Sequence, residues 1–384
     1  MMGTNAAGAA AQASGPSPSA DSSQALLTAL GRVIDPELRR PITALGMVRS
    51  ARLDGGQAKV DLALTVAWCP MADRIERDVR EAVGSVDGVT GVDVEVGVMS
   101  DEERQALFDR VRGGRHNRFG PDNTLTRVIA VGSGKGGVGK STVTANLAVA
   151  LRRHGLAVGI MDLDVHGFSI PGLLGIAGAR PNRVEGLVMP PRGHDVPAIS
   201  IGMFTEGTEP VSWRGPLLHR TIEQFLSDVW FGDLDVLLVD LPPGTGDIAI
   251  SFGQFVPQAE FLVVTTPQPA AAEVAVRAGL LARRLGQPIA GVVEAMSAMP
   301  LPGGELLELF GAGGGAETAR RLSTPQQEVE LLASIPLSVA LRAGGDSGVP
   351  VVIGEPTDPA AVAFRALADR LVQRAPSRAG RSLL

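Results

Sequence analysis

Residues 131–142 read VGSGKGGVGKST. An apolar run, RVIAVGSG at 127–134, feeds this glycine loop, and STVTANLAVALRRHG at 141–155 leaves it as a helical pattern ended by Gly155. Gly134 through Ser141 fit G-x-x-x-x-G-K-[ST] in the strand–loop–helix setting that the motif's mechanism requires. Backbone N–H groups converge on phosphate oxygens only where no β-carbon intervenes, which gives Gly134, Gly136, Gly137 and Gly139 their places. Lys135, Val138 and Thr142 complete the expected nucleotide cradle, and the helix start adds about half a positive charge. Lys140 is placed to reach the β- and γ-phosphates and Ser141 to ligate Mg2+. The chain holds three lysines, Lys59, Lys135 and Lys140, with arginine as every other basic residue of the Lys/Arg pair. Two of the three stand in this loop, so something there needs a compact ammonium.

Outward from the loop, strand, glycine turn and helix alternate from residue 126. AVGIMDLD (157–164), LDVLLVDLPPG (234–244), AEFLVVTTP (259–267), PIAGVVEAM (288–296) and VELLASIP (329–336) are near-continuous apolar runs, as in strands buried on both faces of a parallel sheet. Helical patterns cover 269–286 and 358–373. The expected fold is α/β: a doubly wound, mostly parallel P-loop NTPase domain over 126–374. A magnesium site also needs a carboxylate at another strand end. Asp240, after four apolar residues, has the pattern of a Walker B aspartate. Asp162 and Asp164 end another strand, where alternation turns both the same way, one to support magnesium and the other to orient an attacking water.

Ahead of this domain, SQALLTALGRVIDPELRRPI (23–42) gives a short helix stopping near Asp35 and Pro36. LGMVRSARLDGGQAKVDLALTV (45–66) reads as a hairpin turning at DGG. CPMADRIERDVREAVG (69–84) is a helix with Ile75, Val79 and Val83 on one face, and VTGVDVEV (89–96) another strand. These make a small α+β domain over 22–104, between a tail at 1–21 and a linker at 105–125, with a second tail at 375–384.

A net charge of −6 over 384 residues argues against a protein that coats nucleic acid. One cysteine, Cys69, excludes an internal disulfide framework. Residues 1–24 lack the basic start and apolar core of a secretion signal, and no apolar run reaches the roughly 18 residues of a membrane span. The expected setting is cytoplasmic.

The loop GKGGVGKST resembles the deviant Walker A motif of the MinD/ParA/nitrogenase-iron-protein class of dimeric ATPases. MDLDVHGFSIPGLLG (161–175), WRGPLLH (213–219), DLPPGTGDIAISFGQ (240–254), TTPQ (265–268), FGAGGG (310–315) and GGDSGVPVV (344–352) resemble the Mrp/ApbC family of iron–sulfur cluster carrier ATPases. Residues 24–100, with DPEL, LG and CP, resemble the small domain of iron–sulfur assembly factors. The resemblance implies an ATP- and Mg2+-dependent homodimer that passes clusters to apoproteins or works with assembly factors. It implies that Lys135 crosses to the partner's nucleotide, a task for a small flexible point charge rather than a planar fork. It favours Asp164 as the water-orienting residue and Asp162 as magnesium support. The alternative is a MinD/ParA-type positioning ATPase that binds membrane or DNA in its ATP state. Net charge and the small domain count against it, so neither nucleic acid nor stable membrane association is expected.

Two departures qualify the resemblance. Many members of the family it resembles carry Cys-x-x-Cys after an ENMS-like stretch, whereas VVEAMSAMPLPGGELLELFG (292–311) has no cysteine. A [4Fe–4S] cluster takes four thiolates, and two chains offer two Cys69, so any cluster is expected to be labile. Ala295 stands where members of the family it resembles usually have an adenine-reading asparagine. Cys69 itself, in AWCPMAD (67–73), is a candidate iron or cluster ligand at a helix start, which favours the thiolate, with Asp35 and Glu37 as possible aids. His166, His219, Trp213 and Arg214 fall in the matched motifs. The last helix is expected to pack Ala361, Phe364, Leu367 and Leu371 on the sheet.

Overall fold

The structure, a computed structural model, describes residues 18–36, 40–64, 71–100, 102–104, 106–107, 117–120, 124–165, 167–184, 187–204 and 215–374. The chain divides into two compact units, Met1–Gly113 and Gly114–Leu384.

In the first unit, α1 spans Pro18–Leu30, so helix begins ahead of residue 22, with proline at the position where its missing N–H costs nothing. Strands β1 (Val48–Asp54) and β2 (Gln57–Leu64) form the expected antiparallel hairpin. Its turn residues Gly55 and Gly56 have φ of 57° and 88°, the two left-handed positions of a tight hairpin turn. Helix α2 (Ala72–Gly84) buries Ile75, Val79 and Val83, as their spacing predicts. It returns the chain to β3 (Gly91–Val98), parallel to β2.

The second unit holds β4 (Arg127–Ser133), α3 (Lys140–Arg153), β5 (Val158–Asp162), β6 (Arg192–Gly193), β7 (Val196–Ser200), α4 (Gly215–Asp228), β8 (Val236–Asp240), α5 (Asp247–Phe255), β9 (Glu260–Thr265), α6 (Pro269–Arg284), β10 (Ile289–Ser297), α7 (Gly314–Leu322), β11 (Leu331–Pro336), α8 (Val339–Ser347) and α9 (Pro359–Gln373), besides shorter pieces. One sheet runs in the order β11-β10-β9-β4-β8-β5-β7-β6. All neighbours are parallel except β6 and β7. Every residue of β4, β5 and β8 is buried.

Alternation along β4 shows why the sheet is covered on both sides. Val128 and Ala130 join a core with Leu218, Phe252, Ala275 and Leu322 from α4 to α7. Ile129 and Val131 join the opposite core with Leu147 of α3 and Phe364 and Leu371 of α9. Ala361, Phe364, Leu367 and Leu371 are all buried, so α9 spends its apolar face on the sheet as expected. At the sheet's foot, buried Arg127 forks onto Glu260 at 2.6 and 2.7 Å and donates to the Leu371 carbonyl at 2.5 Å. The parallel strands end together at the opposite edge, where doubly wound sheets bind their ligands.

Candidate active site

The loop between β4 and α3 is shaped by what surrounds each glycine. A β-carbon on Gly134 would lie 2.2 Å from the Val274 carbonyl carbon and 2.4 Å from the Ala275 nitrogen, because the backbone of α6 sits flush against the loop. Gly137 and Gly139 have φ of 76° and 85°, a region that L side chains rarely adopt. Ser133 Oγ donates to the Lys135 carbonyl at 3.0 Å, and the Gly244 N–H to the Ser133 carbonyl at 2.8 Å. No side chain caps the start of α3 at Gly139. The first N–H groups of that helix are the kind that anions use.

Strand pairing sets the acidic residues. Asp240 at the end of β8 lies opposite Asp162 at the end of β5. Asp240 has no solvent exposure. Its Oδ2 accepts from Lys140 Nζ at 2.5 Å and Ser141 Oγ at 2.6 Å, while its Oδ1 accepts from Thr144 Oγ1 at 2.6 Å. Lys140 Nζ also donates to Ser141 Oγ at 3.1 Å and lies 3.7 Å from Asp164 Oδ2. Asp162 accepts from Ser200 Oγ at 2.9 Å and from the Asp164 N–H at 3.1 Å. Asp164 Oδ1 accepts from the Gly167 N–H at 3.0 Å.

The structure therefore gathers Asp162 and Asp164 into one acidic cluster with Asp240 beside Lys140, each with its own hydrogen-bond partners. Strand β5 ends at Asp162, and Asp164 follows in the turn. Asp164 turns toward Lys140, and Asp162 binds a neighbouring strand and its own turn. Thr144 stands four residues after Lys140 on one helix face, a spacing legible in the sequence. Ser200 belongs to β7, a strand that sequence reading passed over.

Three buried carboxylates face one ammonium. Burial raises the Asp162 carboxyl to about 8, and the nearby Asp240 charge pushes the same way. Hard oxygen donors crowded with excess negative charge fit Mg2+, which keeps waters and phosphate oxygens and needs few protein ligands. Among the described residues, no three of His, Cys, Asp and Glu close into a metal cage of their own.

Lys135 behaves differently from Lys140. Its Nζ donates to Gln268 Oε1 at 3.1 Å, at the start of α6. Beside the loop opens a cavity of about 330 Å³, bounded by Gly139 and Thr142, by Ala295 and Met296 from β10, by Leu337 after β11 and by Leu341 of α8. Ala295 walls the cavity where Gly139 passes: a β-carbon on that glycine would meet Ala295 Cβ at 3.5 Å. Met296 holds a left-handed φ of 57°, the kind of outlier that gathers at ligand sites.

Of the other candidates, His219 stacks on Phe255 at 4.5 Å, and buried Asp35 donates its N–H to the Arg40 carbonyl. Cys69, Glu37, His166, Trp213 and Arg214 lie outside the described residues. Among the described residues no helix is long and apolar enough to cross a membrane.

The family model described as a NUBPL iron-transfer P-loop NTPase matches residues 124–372, and one for an iron–sulfur cluster assembly protein matches 23–96. An iron–sulfur cluster carrier protein of Mycobacterium leprae is 52% identical, over 95% of this chain and 96% of its own. One from Synechocystis is 39% identical, over 90% and 96%. Among solved structures, a nucleotide-binding protein of Archaeoglobus fulgidus in complex with ADP is 34% identical with a TM-score of 0.51, covering 61% of this chain and 94% of that one. The septum site-determining protein MinD of Pyrococcus horikoshii, complexed with Mg-ADP, is 25% identical with a TM-score of 0.50, covering 67% and 100%.

Proposed function

The chain belongs to the NUBPL iron-transfer P-loop NTPase family, and from that premise we propose that it is a cytoplasmic homodimer that binds and hydrolyses Mg-ATP while serving iron–sulfur cluster assembly or transfer to apoproteins. The observation that carries the ATPase half is the buried junction of Lys140, Ser141 and Asp240 at the mouth of the glycine loop. The ADP and Mg-ADP held by the two solved neighbours support the same reading.

In this account the N–H groups of Gly134–Thr142 and the start of α3 cradle the phosphates. Lys140 leaves Asp240 and turns to the β- and γ-phosphates. Ser141, with Asp240 and Asp162 behind it, would hold Mg2+, which would supply positive charge to the phosphate oxygens. Asp164, within reach of Lys140 and outside the metal set, orients the attacking water. Lys135 reaches across to the partner copy's nucleotide. The cluster is cargo rather than resident cofactor, and Cys69 is the one thiolate each chain can offer it. The positioning-ATPase alternative is not favoured, because the carrier relatives match both units nearly end to end.

Phosphate release by the full chain with Mg-ATP tests the assignment. Asp164→Asn is expected to lower turnover by 10²-fold or more, in the range of a lost acid–base or water-orienting group, with nucleotide affinity within threefold of wild type. Unchanged turnover would remove Asp164 from the chemistry.

A further inference from the structure

The two lysines of the loop have been given different kinds of partner. Lys140 faces carboxylates, Asp240 at 2.5 Å and Asp164 at 3.7 Å. Lys135 faces a neutral amide oxygen, Gln268 Oε1 at 3.1 Å. We infer that Gln268 is a positioning residue for Lys135, holding its ammonium on α6 in the single chain and releasing it when two copies close around nucleotide. This rests on the homodimer proposed above.

Three observations support the assignment. Gln268 occupies the cap position of α6, followed by Pro269, yet its side chain makes no capping bond to that helix. Its amide oxygen goes to Lys135 instead. The loop is seated on the same helix: Gly134, next to Lys135, has no room for a β-carbon against Val274 and Ala275, six and seven residues after Gln268. The Lys135 carbonyl is fixed in turn by Ser133 Oγ at 3.0 Å. With its backbone pinned and its ammonium held, Lys135 is kept off the acidic cluster that already has Lys140. Both Lys135 and Gln268 are only half-buried, so water competes for the bond. A neutral acceptor in that setting holds a cation reversibly, whereas a carboxylate adds the attraction of an opposite charge.

Release on dimerisation makes two substitutions act in opposite directions. Gln268→Ala removes the holding bond and is expected to tighten the nucleotide-dependent dimer about tenfold, the worth of a hydrogen bond to a charged group. Gln268→Glu adds an opposite charge to the hold and is expected to weaken the dimer by up to about fivefold, the worth of a partly exposed ion pair. A merely structural role moves both the same way.

Sedimentation velocity of the full chain with a non-hydrolysable ATP analogue and Mg2+ reads the dimer constants. The three lysines allow a second readout by NMR of lysine side chains, with the Lys135 signal identified by its loss in Lys135→Arg. That signal is expected to shift in Gln268→Ala without nucleotide, while Lys59 and Lys140 stay in place. Opposite shifts of the dimer constant with a moved Lys135 signal support the proposal. Shifts of the same sign, no shift, or an unmoved Lys135 signal overturn it. A wild-type chain that binds the analogue and stays monomeric overturns the dimer reading itself, and the NMR result then still decides whether Gln268 holds Lys135.

Discussion

Lys140 Nζ and Asp240 Oδ2 lie 2.5 Å apart in a site where the carboxylate has no solvent exposure and the lysine 6%. The ammonium that the loop sequence assigns to phosphate is thus also the counter-ion of the acidic cluster. One residue links the stability of the fold to the chemistry of the site.

Breaking that link is expected to cost stability as well as binding. Lys140→Met leaves Asp240 buried without its charge partner, a loss of about 3–5 kcal/mol. Adding Asp240→Asn to it is expected to recover a large part, since the uncompensated charge is then gone. Urea unfolding of the four members of this double-mutant cycle checks it; strictly additive effects would show that the pair is not coupled.

Asp162 sets a pH dependence with a definite sign. Its folded carboxyl titrates near 8 against an ordinary 3.8, so between those values the folded chain holds a proton that the unfolded chain has lost. Stability therefore falls as pH rises through that window, by at most about 1.4 kcal/mol per unit for one proton, and levels off above 8. Asp162→Asn is expected to flatten this part of the profile. Denaturant midpoints from pH 5 to 9, measured without Mg2+ or nucleotide, give the slope; a rising profile that is the same in both proteins would contradict the assignment.

The glycines of the loop are expected to be unequal. Gly134→Ala drives a β-carbon into the backbone of α6, so the loop shifts; the cost is about 1–3 kcal/mol with a loss of nucleotide affinity. A β-carbon on Gly136 meets nothing closer than Pro243 Cγ at 3.8 Å, and Gly136→Ala is expected to stay within about 0.5 kcal/mol of wild type. Thermal denaturation of the two variants distinguishes them, and equal losses would show that the loop is not seated as described.

Much of this site is legible in the sequence because its signals are local. The loop motif places Lys140 and Ser141, the apolar run before Asp240 places a strand end, and DGG places the hairpin turn of the first unit. What is not legible depends on partners distant in the chain. Strand β7 escapes notice because Pro197 interrupts a five-residue run, and proline argues against a sheet interior. Ser200, which holds Asp162, is lost with it. The different hydrogen-bond partners of Asp162 and Asp164 come from a distant strand for one, Ser200, and from the loop lysine and the following turn for the other, Lys140 and Gly167. The hold of Gln268 on Lys135 spans 133 residues of sequence and has no local signature.

The carrier reading turns on whether the chain holds iron through its sole thiolate. Anaerobic reconstitution of the full chain with iron and sulfide, followed by iron counting, compares wild type with Cys69→Ser. The account predicts a substoichiometric cluster in the wild type, at most about one [4Fe–4S] cluster or about four irons per two chains given two thiolates where four are usual, and its loss in Cys69→Ser. No bound iron in either protein would contradict the carrier role and leave an ATP-driven adaptor.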